Sequence, residues 1–337
     1  MKEALLYKKK KDKRVQCYLC AHRCEIGPGS SGFCRVRLNK DGVLYSLTYE
    51  KLAAAGIDPI EKKPLYHFYP GMESYSISTP GCNFRCEFCQ NASLAQVEED
   101  DVLDERSVSV KEVVADVLRR SCPSISYTYS EPTIYFEYAL EIAREAAEHG
   151  IKNILVSNGY QTPECIDEWA PYTDAINIDL KSFRDEFYRK YCKASLQPVL
   201  DSIKKWNDSN AWMELTSLII PGLNDSEEEI NEMIDFVLSL GDDTVWHISR
   251  FAPAHKMFHH SATPVKELFD VYEKALSRGL KYVYLGNILD ERTASTYCPG
   301  CSRLLISRTV FSVNDNFLDG GKCSYCGLEI AGRFDGS

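Results

Sequence analysis

The sequence predicts an α/β protein built on a parallel sheet. Three observations predict it: strand-like and helix-like apolar patterns alternate from residue 74 to 285, polar residues interrupt the strands at their C-terminal ends, and most cysteines lie in three clusters. A chain of 337 residues has room for one large barrel with appendages or for two domains, and excludes a single small module. A hydrophobic content of 44% excludes disorder throughout.

The first strand reads over 74–79. A cysteine loop and an acidic loop over 97–104 follow, then a helix over 110–120 and a strand over 124–129. The helix over 132–149 is ended by Gly150, and strand 151–157, helix 163–169 and strand 175–180 come next. A helical pattern over 184–206, strand 212–220, helix 226–239, strand 244–251, helix 265–278 and strand 281–285 complete the series. Seven strands with a helix between each pair leave a doubly wound sheet and a barrel both open. Glu131, Asn158, Asp179 with Lys181, and Arg250 fall at strand C-terminal ends, the rim on which parallel α/β folds carry their chemistry.

Charge narrows the partners. Lysine and arginine number 39 against 49 aspartate and glutamate, a net charge of −10, which repels phosphate backbones and argues against nucleic acid. The dense basic run, 8–14, has no interleaved aromatics and reads as a solvated tail. No stretch reaches the roughly 18 apolar residues of a membrane span, and the start MKEALLYKKKK lacks the apolar core of a signal peptide. The expectation is a cytosolic protein, whose 14 cysteines are then reduced and available to metals.

Cys17, Cys20, Cys24 and Cys34 form one group, Cys82, Cys86 and Cys89 a second, and Cys298, Cys301, Cys323 and Cys326 a third. Cys122, Cys165 and Cys192 stand alone and read as buried packing residues. The outer groups hold the four ligands of a closed site, whereas the central group has three and implies an open coordination position. In the central C-x3-C-x2-C loop, three thiolates can each ligate one iron of a cubane and leave the fourth iron free to chelate a small molecule through an amine and a carboxylate. A structural alternative is a zinc site completed by a distant histidine such as His67.

Gly81-Cys82-Asn83-Phe84-Arg85-Cys86-Glu87-Phe88-Cys89 resembles the C-x3-C-x-aromatic-C loop of radical S-adenosylmethionine (SAM) enzymes, with Phe88 at the aromatic position. The SYSISTPGCNFRCEFCQN, YTYSEPT, SNG, NIDLKS and LIIPGLNDS segments are similar to activating enzymes of the pyruvate formate-lyase type. The N-terminal C-x2-C-x3-C-x9-C pattern and YTYSEPTIYFEYA resemble the AmmeMemoRadiSam-system subgroup. The resemblance implies a partial (β/α)6-type barrel, a [4Fe-4S] cluster and SAM, cleaved reductively to a 5'-deoxyadenosyl radical that abstracts hydrogen from a substrate. It implies an electron donor such as a flavodoxin or ferredoxin, and a Memo-like protein or a glycyl radical enzyme as partner. Carried over by position, Cys82, Cys86 and Cys89 hold the cluster, Phe88 packs near the adenine, and Glu131 meets the methionyl ammonium. Ser130, Ser157 and Asn158 would contact the cofactor, with Asp179 and Lys181 near its carboxylate. A plain ion pair is the rival reading for the last two.

This chain departs from the activases at several places. Tyr129-Ser130 replaces two glycines, Val156 stands where they carry an aspartate, and their Pro-Phe-His reads Arg250-Phe251-Ala252. His247 or Arg250, with His255 third, would take the missing histidine's place.

The two C-x2-C knuckles at Cys298–Cys301 and Cys323–Cys326 read as a zinc-ribbon or rubredoxin-like site for zinc or iron. The N-terminal four-cysteine group suits zinc or an auxiliary iron-sulfur cluster, with His22 able to replace one sulfur. The expected organisation is a cysteine-rich cap over 1–70, the barrel over 71–288, and a C-terminal four-cysteine domain over 289–337. Two rivals stand beside a radical SAM enzyme of unassigned substrate: a glycyl-radical-enzyme activating enzyme, and a non-catalytic zinc or iron-sulfur binding or electron-transfer protein.

Overall fold

The computed structural model describes residues 1–97 and 106–334, so the acidic loop read over 97–104 lies, past Val97, outside the described residues. Among the described residues, one sheet holds β1 (Ala54–Pro59), β2 (Glu73–Ser78), β3 (Ser124–Tyr127), β4 (Lys152–Ser157), β5 (Ala175–Asp179), β6 (Trp212–Ile219), β7 (Val245–Arg250) and β8 (Val283–Gly286). The strands lie side by side in that order. β2 to β8 are parallel throughout, and β1 runs antiparallel to β2. A doubly wound sheet reverses its strand order at a switch point. This sheet never reverses, so it coils one way, and of the two architectures open in the sequence it is the partial barrel. The strand β1 was not foreseen, and it lies within the stretch assigned to the cap.

Local chemistry explains where the crossover helices begin. Ser109 and Glu112 form a reciprocal capping box at Val110–Arg119. Thr162 accepts from the Cys165 amide ahead of Pro163–Trp169, and Ser226 from the Glu229 amide ahead of Glu227–Leu240. The helical pattern over 184–206 is broken in the structure. A π turn at Tyr188–Cys192 ends where Lys193 takes a left-handed φ of 58°, and a new helix, Gln197–Asn207, starts around Pro198. Proline cannot continue a preceding helix but fits a first turn, so the apolar periodicity ran across a true boundary. For the same reason the stretch from Pro132 opens as a 3-10 turn, Pro132–Tyr135, before Phe136–Glu148.

Helices and sheet bury Trp169, Trp206 and Trp246 completely. The base of the barrel is polar and closed. Glu214 of β6 accepts from the amides of Tyr66 (2.9 Å) and His67 (2.7 Å) and lies 2.6 Å from His247 Nε2. Arg308, from the C-terminal strand Leu304–Thr309, donates to the Tyr66 carbonyl at 2.7 Å. At the other end of the chain, buried Arg37 pairs with buried Glu137 and so fixes the N-terminal strands to Phe136–Glu148. No helix among the described residues is long and apolar enough to cross a membrane.

Candidate active site

The loop after β2 carries the central thiols. Gly81 opens it with φ 104°, and a Cβ there would come 2.8 Å from Val36 Cγ1, so only glycine lets the chain turn this close to the N-terminal segment. Cys82, Cys86 and Cys89 face one cavity of about 500 Å³ with Phe88, Ser130, Glu131, Ser157, Asn158, Asp179 and Lys181. No fourth thiol and no imidazole is among the described residues lining it. Burial pushes the Cys82 and Cys89 thiols up, and the neighbouring Cys192 thiol does most to push up Cys86. Bare thiols here are therefore neutral, and a bound metal makes them thiolates. Three such sulfurs and one open direction fit an iron-sulfur cluster that keeps one iron for an outside ligand.

Glu131 follows β3 and is 2% exposed. Its Oε1 accepts from the Thr133 amide (3.1 Å), the Thr133 hydroxyl (2.5 Å) and Ser157 (2.8 Å), and its Oε2 from the Asn158 amide (2.8 Å). Burial raises its pKa against those donors. An ammonium arriving in the cavity would relieve that burial, as a charge-assisted partner does. Asn158 turns its side-chain amide to Asn83 Oδ1 at 2.7 Å and so braces the cysteine loop as well as lining the cavity. Ser130 donates to the Thr79 carbonyl at 2.7 Å. Asp179 and Lys181 are paired at 2.9 Å. Burial works against the Lys181 ammonium, yet Asp179 and Cys86 hold its pKa well above the ordinary value. The Lys181 ammonium also lies 5.8 Å from the centre of the Phe88 ring.

His247 and Arg250 stand apart from this group. His247 faces into the barrel but at its base, beside Glu214, and Arg250 donates to the Thr263 carbonyl at 2.8 Å. Neither they nor His255 line the cavity. The distant histidine His67 is at the base too, its Nε2 2.6 Å from the Tyr284 hydroxyl, and completes no site with the central thiols.

The model of the Radical SAM superfamily matches residues 76–237, the span that holds the thiol loop, Glu131, Asn158 and the Asp179–Lys181 pair. An uncharacterized protein of Methanocaldococcus jannaschii is 42% identical over 333 residues, 98% of this chain and 99% of that one. The chain belongs to the radical SAM superfamily. The pyruvate formate-lyase-activating enzyme of Staphylococcus epidermidis is 23% identical over 57% of this chain and 78% of that enzyme. In fold, the chain is similar to a radical SAM methyltransferase from Sphaerobacter thermophilus, with a TM-score of 0.51 and 16% identity over 65% of this chain and 67% of that one. Membership makes this protein an enzyme and implies a [4Fe-4S] cluster and SAM as its cofactors.

Residues missed in the sequence complete the wall of this radical SAM cavity. Asp58 of β1, Lys62, Lys63 and Tyr129 all line it. The segment AAGIDPIEKK has no alternating pattern and gave no strand signal, so nothing pointed to Asp58, Lys62 or Lys63, and Tyr129 stood out only as the replacement of an activase glycine. Cys192 is likewise isolated in sequence, yet the π turn brings it to Cys86. Such turns recur at functional sites.

The flanking cysteines of the radical SAM protein differ in spacing. Cys298 and Cys326 have sulfurs 3.6 Å apart and Cys301 and Cys323 3.7 Å. All four fall within 4.8 Å of one another and could hold a metal ion. Arg37 lies beside Cys17 and Cys34, its Nη1 3.6 Å from Cys17 Sγ, and burial pushes Cys34 up to about 11, but among the described residues the N-terminal thiols do not come within the mutual distance that the C-terminal four do. His22 turns its Nε2 to the Asn83 carbonyl at 2.7 Å.

Proposed function

We propose that Cys82, Cys86 and Cys89 hold the [4Fe-4S] cluster and that the same cavity binds SAM for radical generation and hydrogen abstraction from a substrate. Bound there, the two cofactors supply reductive cleavage of the sulfonium to methionine and a 5'-deoxyadenosyl radical. The polypeptide orients and encloses. Glu131, fixed by four donors, offers its charge to the methionyl ammonium, while Phe88 packs on the adenine side. Asp179, Lys181, Ser130 and Ser157 form the polar wall around the amino acid part, and Asn158 holds the loop that carries Cys82. The N-terminal cysteines take zinc or an auxiliary cluster, and the C-terminal four take zinc or iron. A flavodoxin or ferredoxin serves as reductant.

One observation carries this reading: three thiols and a capped, buried carboxylate meet in one cavity that has no fourth thiol or imidazole among its described lining residues. The test is anaerobic reconstitution with iron and sulfide, then SAM and dithionite. 5'-Deoxyadenosine should form, and Cys86→Ala should abolish it. A fully iron-loaded wild-type sample that yields none would overturn the reading in favour of a non-catalytic metal protein.

A second reading, activation of a glycyl radical enzyme, is favoured by similarity to the Staphylococcus epidermidis activating enzyme and to the pyruvate formate-lyase 1-activating enzyme of Escherichia coli, 22% identical over 48% of this chain. A glycyl signal in electron paramagnetic resonance, raised in such a partner on mixing, would select it. A Memo-like protein is the other partner to test, by the same co-incubation.

A further inference from the structure

The radical SAM reading leaves one cluster of charge in the cavity without a task. β1 pairs with β2 so that Ala54 lies opposite Ser78 and Asp58 opposite Ser74. Ser78 leads into the thiol loop, so Asp58 lies four residues back, about 13 Å away at roughly 3.3 Å per residue. Lys62 and Lys63 come four and five residues after it, at the end of the 3-10 turn Ile60–Lys62.

Asp58 is surrounded by donors. Lys62 reaches Oδ1 at 2.7 Å, Lys63 and Ser76 reach Oδ2 at 3.0 and 2.8 Å, and the Tyr129 hydroxyl also donates to Oδ2. Two ammonium groups thus share one carboxylate, an excess of one positive charge. Elsewhere on the wall Asp179 is paired with Lys181, and Glu131 keeps its charge among four neutral donors. The six charged side chains of the described wall sum to zero, with the positive excess at the Asp58 end, away from the thiols, and the negative one at Glu131. The Lys63 side chain is 2% exposed, and burial draws its ammonium down to about 8 even beside Asp58. A second anion would relieve that desolvation. Lys62, with a side chain 47% exposed, is free to swing from Asp58 to such an anion.

We propose that Lys62 and Lys63, braced by Asp58 and Tyr129, form an oxyanion subsite that binds the carboxylate or phosphate of a small substrate. The inference rests on the radical SAM reading of this cavity and gives its substrate a chemical class. The reactive C–H bond of that substrate lies between its anionic group and the thiol loop. A glycine inside a polypeptide carries no such group, so the subsite separates a small anionic substrate from the activase reading.

The test is anaerobic calorimetric titration of the reconstituted holoenzyme, saturated with SAM, with malonate, inorganic phosphate and uncharged malonamide. Saturable binding of malonate marks a carboxylate site and of phosphate a phosphoryl site, and malonamide should not bind. Lys62→Gln, at a half-exposed side chain, should weaken the bound anion about tenfold or more, the scale of one hydrogen bond to a charged group, and Lys62→Arg should restore it. Absence of binding by both anions, or equal affinity in Lys62→Gln, overturns the subsite. 5'-Deoxyadenosine formation is read on the same samples. Product without anion binding removes the subsite alone, whereas anion binding without product removes the radical reading.

Discussion

His22 sets its Nε2 2.7 Å from the main-chain oxygen of Asn83, so the N-terminal cysteine loop touches the loop that carries Cys82. Arg85 reinforces the contact, since its guanidinium donates to the Phe33 and Cys82 carbonyls, each at 2.8 Å. The two loops are one hydrogen-bonded unit. His22→Ala should therefore lower iron and sulfide retention at the central site after gel filtration. The iron count would come from the holoenzyme, compared with a variant whose four N-terminal cysteines are alanine. Retention equal to wild type would show that the contact is incidental.

The capping geometry of Glu131 allows its charge to be removed with its shape kept. Glu131→Gln retains one acceptor oxygen for Thr133 and Ser157, gives up the bond from the Asn158 amide, and withdraws the anion. SAM affinity, measured by equilibrium dialysis, should fall about tenfold or more, as expected when a charge-assisted hydrogen bond is lost. Unchanged affinity would place the methionyl ammonium elsewhere.

The C-terminal sulfurs predict a single ion. A tetrahedral metal with bonds of about 2.3 Å to sulfur has edges of about 3.8 Å, close to the 3.6 and 3.7 Å separations found here. In a protein whose N-terminal four cysteines and Cys82, Cys86 and Cys89 are alanine, zinc and iron analysis should give one ion in total, and it should disappear with Cys326→Ser. A stoichiometry indifferent to Cys326 would contradict it.

His67 sets a pH dependence of stability. Burial holds its pKa down to about 4 in the folded protein, against about 6.5 when unfolded. Above that unfolded value both states are neutral and nothing changes. As pH falls below it, the unfolded chain takes up a proton that the folded one refuses, so stability drops between about pH 6.5 and 4. By pH 5 the loss is about 2 kcal/mol. Urea midpoints at pH 7 and pH 5 should separate more in the wild type than in His67→Gln, and equal separations would remove His67 as the cause.

What the sequence revealed follows from how local each signal is. Cys82, Cys86 and Cys89 lie within eight residues in one loop, so spacing alone stated their joint chemistry. Glu131, Asp179 and Lys181 were legible because a strand end points a residue to the rim. His247 shows the limit of that argument. Its place on an inward face could be read, but its depth could not, because depth depends on Glu214, a partner 33 residues away. Asp58 and Lys63 were hidden for another reason. Asp58 belongs to a strand with no alternating pattern, whose existence depends on pairing with β2, and Lys63 caps the 3-10 turn Ile60–Lys62 that follows it. Cys192 became a neighbour of Cys86 only through the π turn that interrupts an apparently continuous helix.

The reach of Arg308 to the Tyr66 carbonyl has a consequence for the base of the barrel. It ties the strand Leu304–Thr309 to the base of the sheet, the end opposite the strand ends that carry the thiol loop. Trimming that strand away would remove the guanidinium that holds Tyr66 in place against His247, and with it the lower wall on which Glu214 is set.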